Sequence, residues 1–557
     1  MLKMKGNYTR TAPVSAAELR GYIIYPSTRQ VNLNRDSAGR LTSLTDAASA
    51  NYLSSMSYNP AGQVTGLTLG NGAIETYGYD TNRMQLTSQT ATKNSTSLMN
   101  LTYSYQASAG QNGAGTTAGN SGQVMTISGS INSTTESAAY TYDLLSRLGT
   151  SNQTTNGTSA QRRFAYDRWG NRTTTHDATS GGTQIQTITL QQSGGIPSNR
   201  ISSVNNGGSF NYTYSYDNAG NVTNDGLHTY IYDAENRLVS VDSGATAQYT
   251  YDYKNRRTVK TVGTTITRYV WDDWQVIAEY DGSTGNLSTE FIYSGNRMIG
   301  RFAGGTTRYY LNDRLSERVV LDTNSAIVGR MGHLPYGEQF GTSGEQENHR
   351  FTSYERDSET GMDYAVNRYY SYSVGRFAES DPIFDLTRIH GGSRCGNNSK
   401  VLGLEIPPQQ LNRYNFTTND PTNRTDPLGL EDRSFDEVFS SFSVKLSPLP
   451  EENIISTAQD DCRKCCKQEG RKCTRNYTIC ITAATLAAIT ALVGCTSVCR
   501  RSPIVPPIIT LIRCGVCIAT ALVGFISAII ACNEARNGCE ANREKTCSTN
   551  IPGCSCK

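Results

Sequence analysis

Tyr214-Ser215-Tyr216-Asp217-Asn218-Ala219-Gly220-Asn221-Val222 holds one complete building block of this chain. The alternation in Tyr212-Thr-Tyr-Ser-Tyr216 puts tyrosines on one face, as in a half-buried strand. Asp217-Asn-Ala-Gly220-Asn221 then supplies the residues that a tight turn needs, including glycine for positive φ. Val222-Thr223 opens the next strand. The same order of events recurs at Tyr58-Asn-Pro-Ala-Gly-Gln-Val64 and at Phe164-Ala-Tyr166-Asp167-Arg-Trp-Gly170-Asn171. Tyr142-Asp143, Tyr232-Asp233 and Tyr251-Asp252 sit in similar frames, and Trp271-Asp272 continues the rhythm. A chain of short strand–turn units builds its fold by pairing neighbours rather than around one catalytic cleft. Each Asp is expected to cap its own turn. Tyrosines spaced two apart are expected to stack between consecutive hairpins. The Tyr-poor stretch from 107 to 130 reads as an inserted loop or a degenerate repeat.

Bulk composition agrees with hairpins that have solvated faces. Of 557 residues only 37% are hydrophobic, while Gly (51) and Tyr (33) are abundant, enough for a sheet with one dry face. Basic and acidic residues nearly balance at 51 and 48, which gives no case for a nucleic-acid partner. The N-terminal MLKMKGNYTRTAP has a basic start without an apolar run, so it does not read as a secretory signal. Export by another route, or a position downstream in a longer product, is expected instead.

These units resemble the YD repeats of RHS and teneurin proteins, which wind into a β-sheet shell around a hollow interior. A second resemblance begins near residue 307. Tyr309-Tyr-Leu-Asn-Asp-Arg-Leu315, Gly332-His-Leu-Pro-Tyr-Gly337, Glu359-Thr-Gly361-Met-Asp363-Tyr364 and Asn367-Arg-Tyr-Tyr370 follow in order. Gly375-Arg-Phe377, Ser380-Asp-Pro382, Leu411-Asn-Arg-Tyr414 and Asp426-Pro-Leu-Gly-Leu430 complete the series. Order and wording resemble the RHS repeat-associated core, and with the repeats the likeness covers roughly residues 50–430.

The resemblance implies a mainly β chain with a YD-repeat shell over 1–306 and a core plug over 307–430. A variable segment follows over 431–557. It further implies that the core is an aspartic autoprotease cutting after the Leu of the D-P-x-G-L motif, at the Leu430–Glu431 bond. By motif the two carboxylates are Asp381 and Asp426, and Arg368 is the supporting cation. Two close carboxylates share a proton, which gives one group to activate water and one to protonate the leaving amide. Arginine's rigid fork suits a carboxylate or the scissile carbonyl. The competing reading is that each Asp-Pro only forms a turn and Arg368 only packs. The sequence departs from the family pattern at 385–410, an apparent insertion carrying Cys395, and at Asn419-Asp420-Pro421, where Asn-Asn-Pro is usual.

After Leu430 the composition changes. Cysteine is absent before residue 395, yet fourteen lie between Cys462 and Cys556, the density of a disulfide scaffold. Residues 477–499 and 514–532 are uncharged runs long enough to cross a bilayer, with Arg500, Arg501 and Arg513 between them. Two readings stay open: a membrane-inserting helical hairpin, or a small α-helical core stapled by disulfides. Cys-x-x-Cys occurs at 462–465 and 514–517, but no His lies in the tail, so neither a metal nor a cofactor is expected.

In the family the segment after the cut is a variable payload, usually a toxin enclosed by the shell. The functional expectation is therefore a secreted or cell-surface polymorphic-toxin-like protein with its own C-terminal domain as cargo. Its expected partners are an upstream shell piece or secretion machinery, an immunity protein, and a membrane for the tail. The alternatives are a structural or adhesive surface protein anchored by that tail, and a degenerate fragment. Cleavage at Leu430 separates the first from the second.

Overall fold

The computed structural model describes residues 20–46, 51–108, 119–177, 182–208, 210–382, 408–430 and 433–434. The chain divides into two compact units, 1–445 and 446–557, and the second lies entirely outside the described residues. The expected helical, Cys-rich tail and its two apolar runs therefore fall outside the description, as does most of 385–410. Among the described residues no helix is long and apolar enough to cross a membrane.

Most repeat turns are held by an Asp. Asp217 Oδ1 accepts the N–H groups of Gly220 and Asn221 (both 2.8 Å), and Oδ2 accepts Asn221 Nδ2 (2.9 Å). Gly220 closes the turn at φ +98°, and the strand register slips between Ser215 and Tyr216, forming a β-bulge. Where the fourth turn position is arginine, its side chain takes the asparagine's place: Nε of Arg147, Arg237 and Arg256 donates to Asp143, Asp233 and Asp252 at 2.7–2.8 Å. Each capping Asp is thus a turn brace.

The tyrosines link one unit to the next through their hydroxyls. The hydroxyls of Tyr58, Tyr142, Tyr166 and Tyr251 donate to the carbonyls of Leu41, Val124, Leu148 and Leu238, at 2.7–2.8 Å. Trp271 does the same with its indole N–H, 2.8 Å from the Arg257 carbonyl. The turn arginine of one unit also lies over the ring of the next, Arg147 on Tyr166 at 4.9 Å. A peg into the neighbour's backbone satisfies a buried phenol, which ring stacking alone would leave without an acceptor.

Pairing in chain order gives an antiparallel meander, but in two sheets rather than one. A 16-stranded sheet runs from Tyr22–Ile24 to Asn211–Thr213, and a 12-stranded sheet from Tyr230–Tyr232 to Ser343–Gly344. The stretch 107–130 contributes Thr126–Ile131 to the first sheet, paired on both sides, so that part is a degenerate repeat. The meander is interrupted at 214–229, where only the short pair Ser215–Tyr216 with Val222–Asn224 remains. There the Val222 N–H bonds the carbonyl of Ala378 (3.1 Å), so a later segment takes the place of the next strand. The buried faces of the two sheets share one apolar cluster, with Leu53, Leu67 and Met99 from the first and Ile292, Ile299 and Leu321 from the second. Between them Arg297 donates to buried Glu75 at 2.7 Å.

Residues 345–430 carry a four-stranded sheet, Glu355–Arg356 to Arg376–Phe377, around an aromatic centre of Phe351, Tyr370, Phe377 and Phe416. This segment rests on a row of repeat turns. Asn419 Nδ2 reaches the Gly170 carbonyl (2.8 Å) and Tyr414 Oη the Gly220 carbonyl (2.7 Å). The Arg257 N–H meets Tyr364 Oη (2.8 Å). The buried Arg257 guanidinium also joins the two ionically, to Asp357 through Nη1 (2.5 Å) and Nη2 (2.9 Å) and to Glu355 through Nη2 (2.8 Å).

Candidate active site

Arg368 ends the turn that joins Asp363–Tyr364 to Tyr369–Ser371, and its buried guanidinium lies 3.6 Å from the centroid of Phe377. It gathers acceptors from three separate segments. Nη2 contacts Asp426 Oδ2 at 3.1 Å and Asp381 Oδ2 at 3.3 Å. Nη1 donates to the Arg413 carbonyl (3.1 Å) and Nε to the Gly429 carbonyl (2.5 Å). All three side chains singled out from sequence are therefore brought to one point, with the guanidinium charge between the two carboxylates. Asp426 is buried, whereas the Asp381 side chain keeps 21% of its surface open, so solvent reaches the pair from the Asp381 side.

The loop beginning at Asp426 is tightly constrained. Asp426 Oδ1 accepts the Leu430 N–H at 2.8 Å, and the Gly429 N–H bonds the Asp426 carbonyl at 3.2 Å. Gly429 has φ +66°, and a Cβ there would lie 2.8 Å from the Ala365 carbonyl oxygen, so only glycine passes this point without strain. Arg424–Thr425 pairs antiparallel with Arg433–Ser434. In sequence, Leu430 falls between these two paired strands, and Glu431 is outside the described residues.

Two features of the site are not legible in the sequence. Tyr354 Oη donates to the Asp426 carbonyl, and Asn367 Nδ2 donates to the Leu428 carbonyl at 2.9 Å. Carbonyl acceptors leave no signature in a sequence, and Tyr354 is one tyrosine among many. Glu379 belongs to no motif either. Burial pushes its carboxyl from the usual 4.5 to about 8, and Oε2 accepts the N–H of Tyr369, next to Arg368, at 2.8 Å. Among the described residues no group of His, Cys, Asp and Glu is arranged to hold a metal ion.

An antiparallel meander of Asp-braced turns, closed off by a core segment that carries a buried Arg with two carboxylates, defines a YD-shell protein. The teneurin YD-shell family matches residues 117–422, more than half of the chain, and the chain belongs to that family. Among curated proteins it is 26% identical over 256 residues to the tRNA3(Ser)-specific nuclease WapA of Bacillus spizizenii, covering 43% of this chain and 10% of the relative. It is 26% identical over 257 residues to the tRNA nuclease WapA of Bacillus subtilis, with the same coverage. The chain spans about a tenth of the length of these relatives. Among solved structures, the TcdB2-TccC3-Cdc42 crystal structure matches with TM-score 0.57 at 20% identity, covering 76% of this chain and 21% of that one. TcdB2-TccC3 without its hypervariable C-terminal region matches with TM-score 0.55 at 20% identity, covering 73% and 21%. The structural likenesses, at 20% identity, show the fold alone.

Proposed function

We propose that this chain is the shell and self-cleaving plug of a secreted polymorphic toxin, and that the segment after Leu430 is its payload. The observation that carries the reading is the convergence of Asp381, Asp426 and the Gly429 carbonyl on Arg368, one residue from the expected cut. In this mechanism one carboxylate takes a proton from water as the oxygen attacks the Leu430 carbonyl carbon. The other carboxyl then protonates the Glu431 nitrogen as the C–N bond breaks. Leu430 becomes a carboxylate and Glu431 an amino terminus. Asp381, the more exposed of the two, is assigned to the water, and Arg368 holds the pair and the adjacent carbonyl.

Boundaries at 306 and 430 belong to the same proposal, as do an immunity protein and a membrane target for residues 477–499 and 514–532. A second reading has its own observation. Both Asp426 oxygens are already engaged, by the Leu430 N–H and by Arg368, as a purely structural turn would require. That would suit an uncut surface protein anchored by its tail.

Intact mass of the purified chain, beside Asp381→Asn and Asp426→Asn, decides between them. Asparagine keeps an oxygen for the Leu430 N–H, so the turn survives while the charge is lost. A fragment beginning at Glu431 in the parent and in neither variant is the expected result. An uncut parent, or cutting that persists in both variants, removes the aspartyl assignment.

A further inference from the structure

We propose that Asn367 and Tyr354 are positioning residues that fix which bond of the 426–430 loop is cut. The inference rests on the self-cleavage reading above and adds to it the part of the site that holds the substrate.

The loop is, in effect, a tethered substrate, and three of its carbonyls are held by side chains of the core segment. Tyr354 Oη binds the Asp426 carbonyl, Asn367 Nδ2 the Leu428 carbonyl at 2.9 Å, and Arg368 Nε the Gly429 carbonyl at 2.5 Å. The Asn367 backbone N–H also points at the Leu428 carbonyl, at 3.3 Å. The next carbonyl in line is that of Leu430, the one to be attacked. Arg368 cannot be tested for positioning alone, because it also binds both carboxylates. The Asn367 and Tyr354 side chains bind loop carbonyls, so they separate placement from acid–base chemistry. A loop shift of about 1 Å is enough to cost ~100-fold in rate when a reacting bond must meet fixed groups.

The test is the cleavage rate and the fragment masses of Asn367→Ala and Tyr354→Phe beside the parent. Tyr58→Phe serves as control, since it removes a repeat hydroxyl bonded to Leu41 rather than to the loop. The two loop variants are expected to cut roughly 10- to 100-fold more slowly, with part of the product ending one or two residues from Leu430. Tyr58→Phe is expected to cut at the parental rate and at one bond. A general loss of packing would slow cutting without moving it, so the displaced cut is the signature of placement. Asn367→Asp guards against misfolding: it keeps the shape, loses the donor at neutral pH, and regains one when protonated. Its rate relative to the parent is expected to rise as pH falls. If the parent cuts at Leu430 and the folded Asn367→Asp and Tyr354→Phe chains match it in rate and site, this inference is overturned and the self-cleavage reading stands. If the parent does not cut, both fall together.

Discussion

Glu379 sits beside the proposed catalytic group without belonging to it, and its proton has a cost that can be measured. Burial raises its carboxyl to about 8, and burial likewise lifts Asp363 and Asp420 to about 6. The folded chain therefore keeps protons that the unfolded chain releases near pH 4, so the stabilisation is complete below that point. It is lost as pH rises through about 6 for the two aspartates and about 8 for Glu379. Glu379→Gln is expected to flatten the fall in urea midpoint between mildly acidic and mildly alkaline buffer. A Gln variant whose midpoint declines as steeply as the parent's would show that Glu379 ionises freely in the fold. The sequence alone does not point to Glu379, because its environment is assembled by Tyr369 and Arg368 only after folding.

The repeat unit is legible where its chemistry is local. The Asp brace spans four residues and the glycine or asparagine at positive φ comes one residue earlier, so both are visible in a short window. It is less legible where one residue type replaces another. At the first turns, Asp36 binds Arg40 as the later units do, but Arg35 stands where tyrosine is expected. At Tyr58 the brace is Asn59, bonded to the Gln63 N–H at 2.9 Å. The break at 214–229 cannot be read at all, because it depends on Ala378 reaching Val222 from 156 residues away in sequence. The unit also carries a prediction. Gly62 and Gly220 both have positive φ, but a Cβ at Gly62 meets nothing within 4 Å, while one at Gly220 falls 2.7 Å from Tyr414 Oη. Gly62→Ala is expected to lower stability by about 1 kcal/mol from backbone strain alone. Gly220→Ala should cost roughly 2–3 kcal/mol because the core segment must also give way. Equal losses in denaturant unfolding would mean that the Tyr414 contact contributes nothing.

Across the whole molecule, the meeting of Asp381, Asp426 and Arg368 is already an expectation of the ordered motifs, because family wording carries long-range information that periodicity lacks. What folding adds is the support: two sheets instead of one, and a core segment seated on the repeat turns. Neither is written in a local window, since both depend on contacts between distant parts of the chain. The proposed payload makes its own prediction. The tail, released from the rest, is expected to empty dye-loaded liposomes, and Leu522→Arg should abolish most of that release because a charge near mid-helix costs a few kcal/mol to insert. A tail that stays monomeric in buffer, with its cysteines paired and the vesicles intact, would establish the stapled soluble core instead.

The two kinds of contact in this fold also keep different time. Repeats pair with the neighbour just made, so the sheets can grow as the chain emerges, at about 5–20 residues per second. The core segment has to wait. Asp420 closes on Gln123 from 297 residues further along, and Asn423 on Val124 from 299. On the ribosome that gap lasts on the order of 15–60 s. A cut that requires Arg368, Asp381 and Asp426 to be seated together can therefore occur only after the last turn of the sheet has been synthesised and occupied. Under the self-cleavage reading, severing the chain would report that the enclosure is finished.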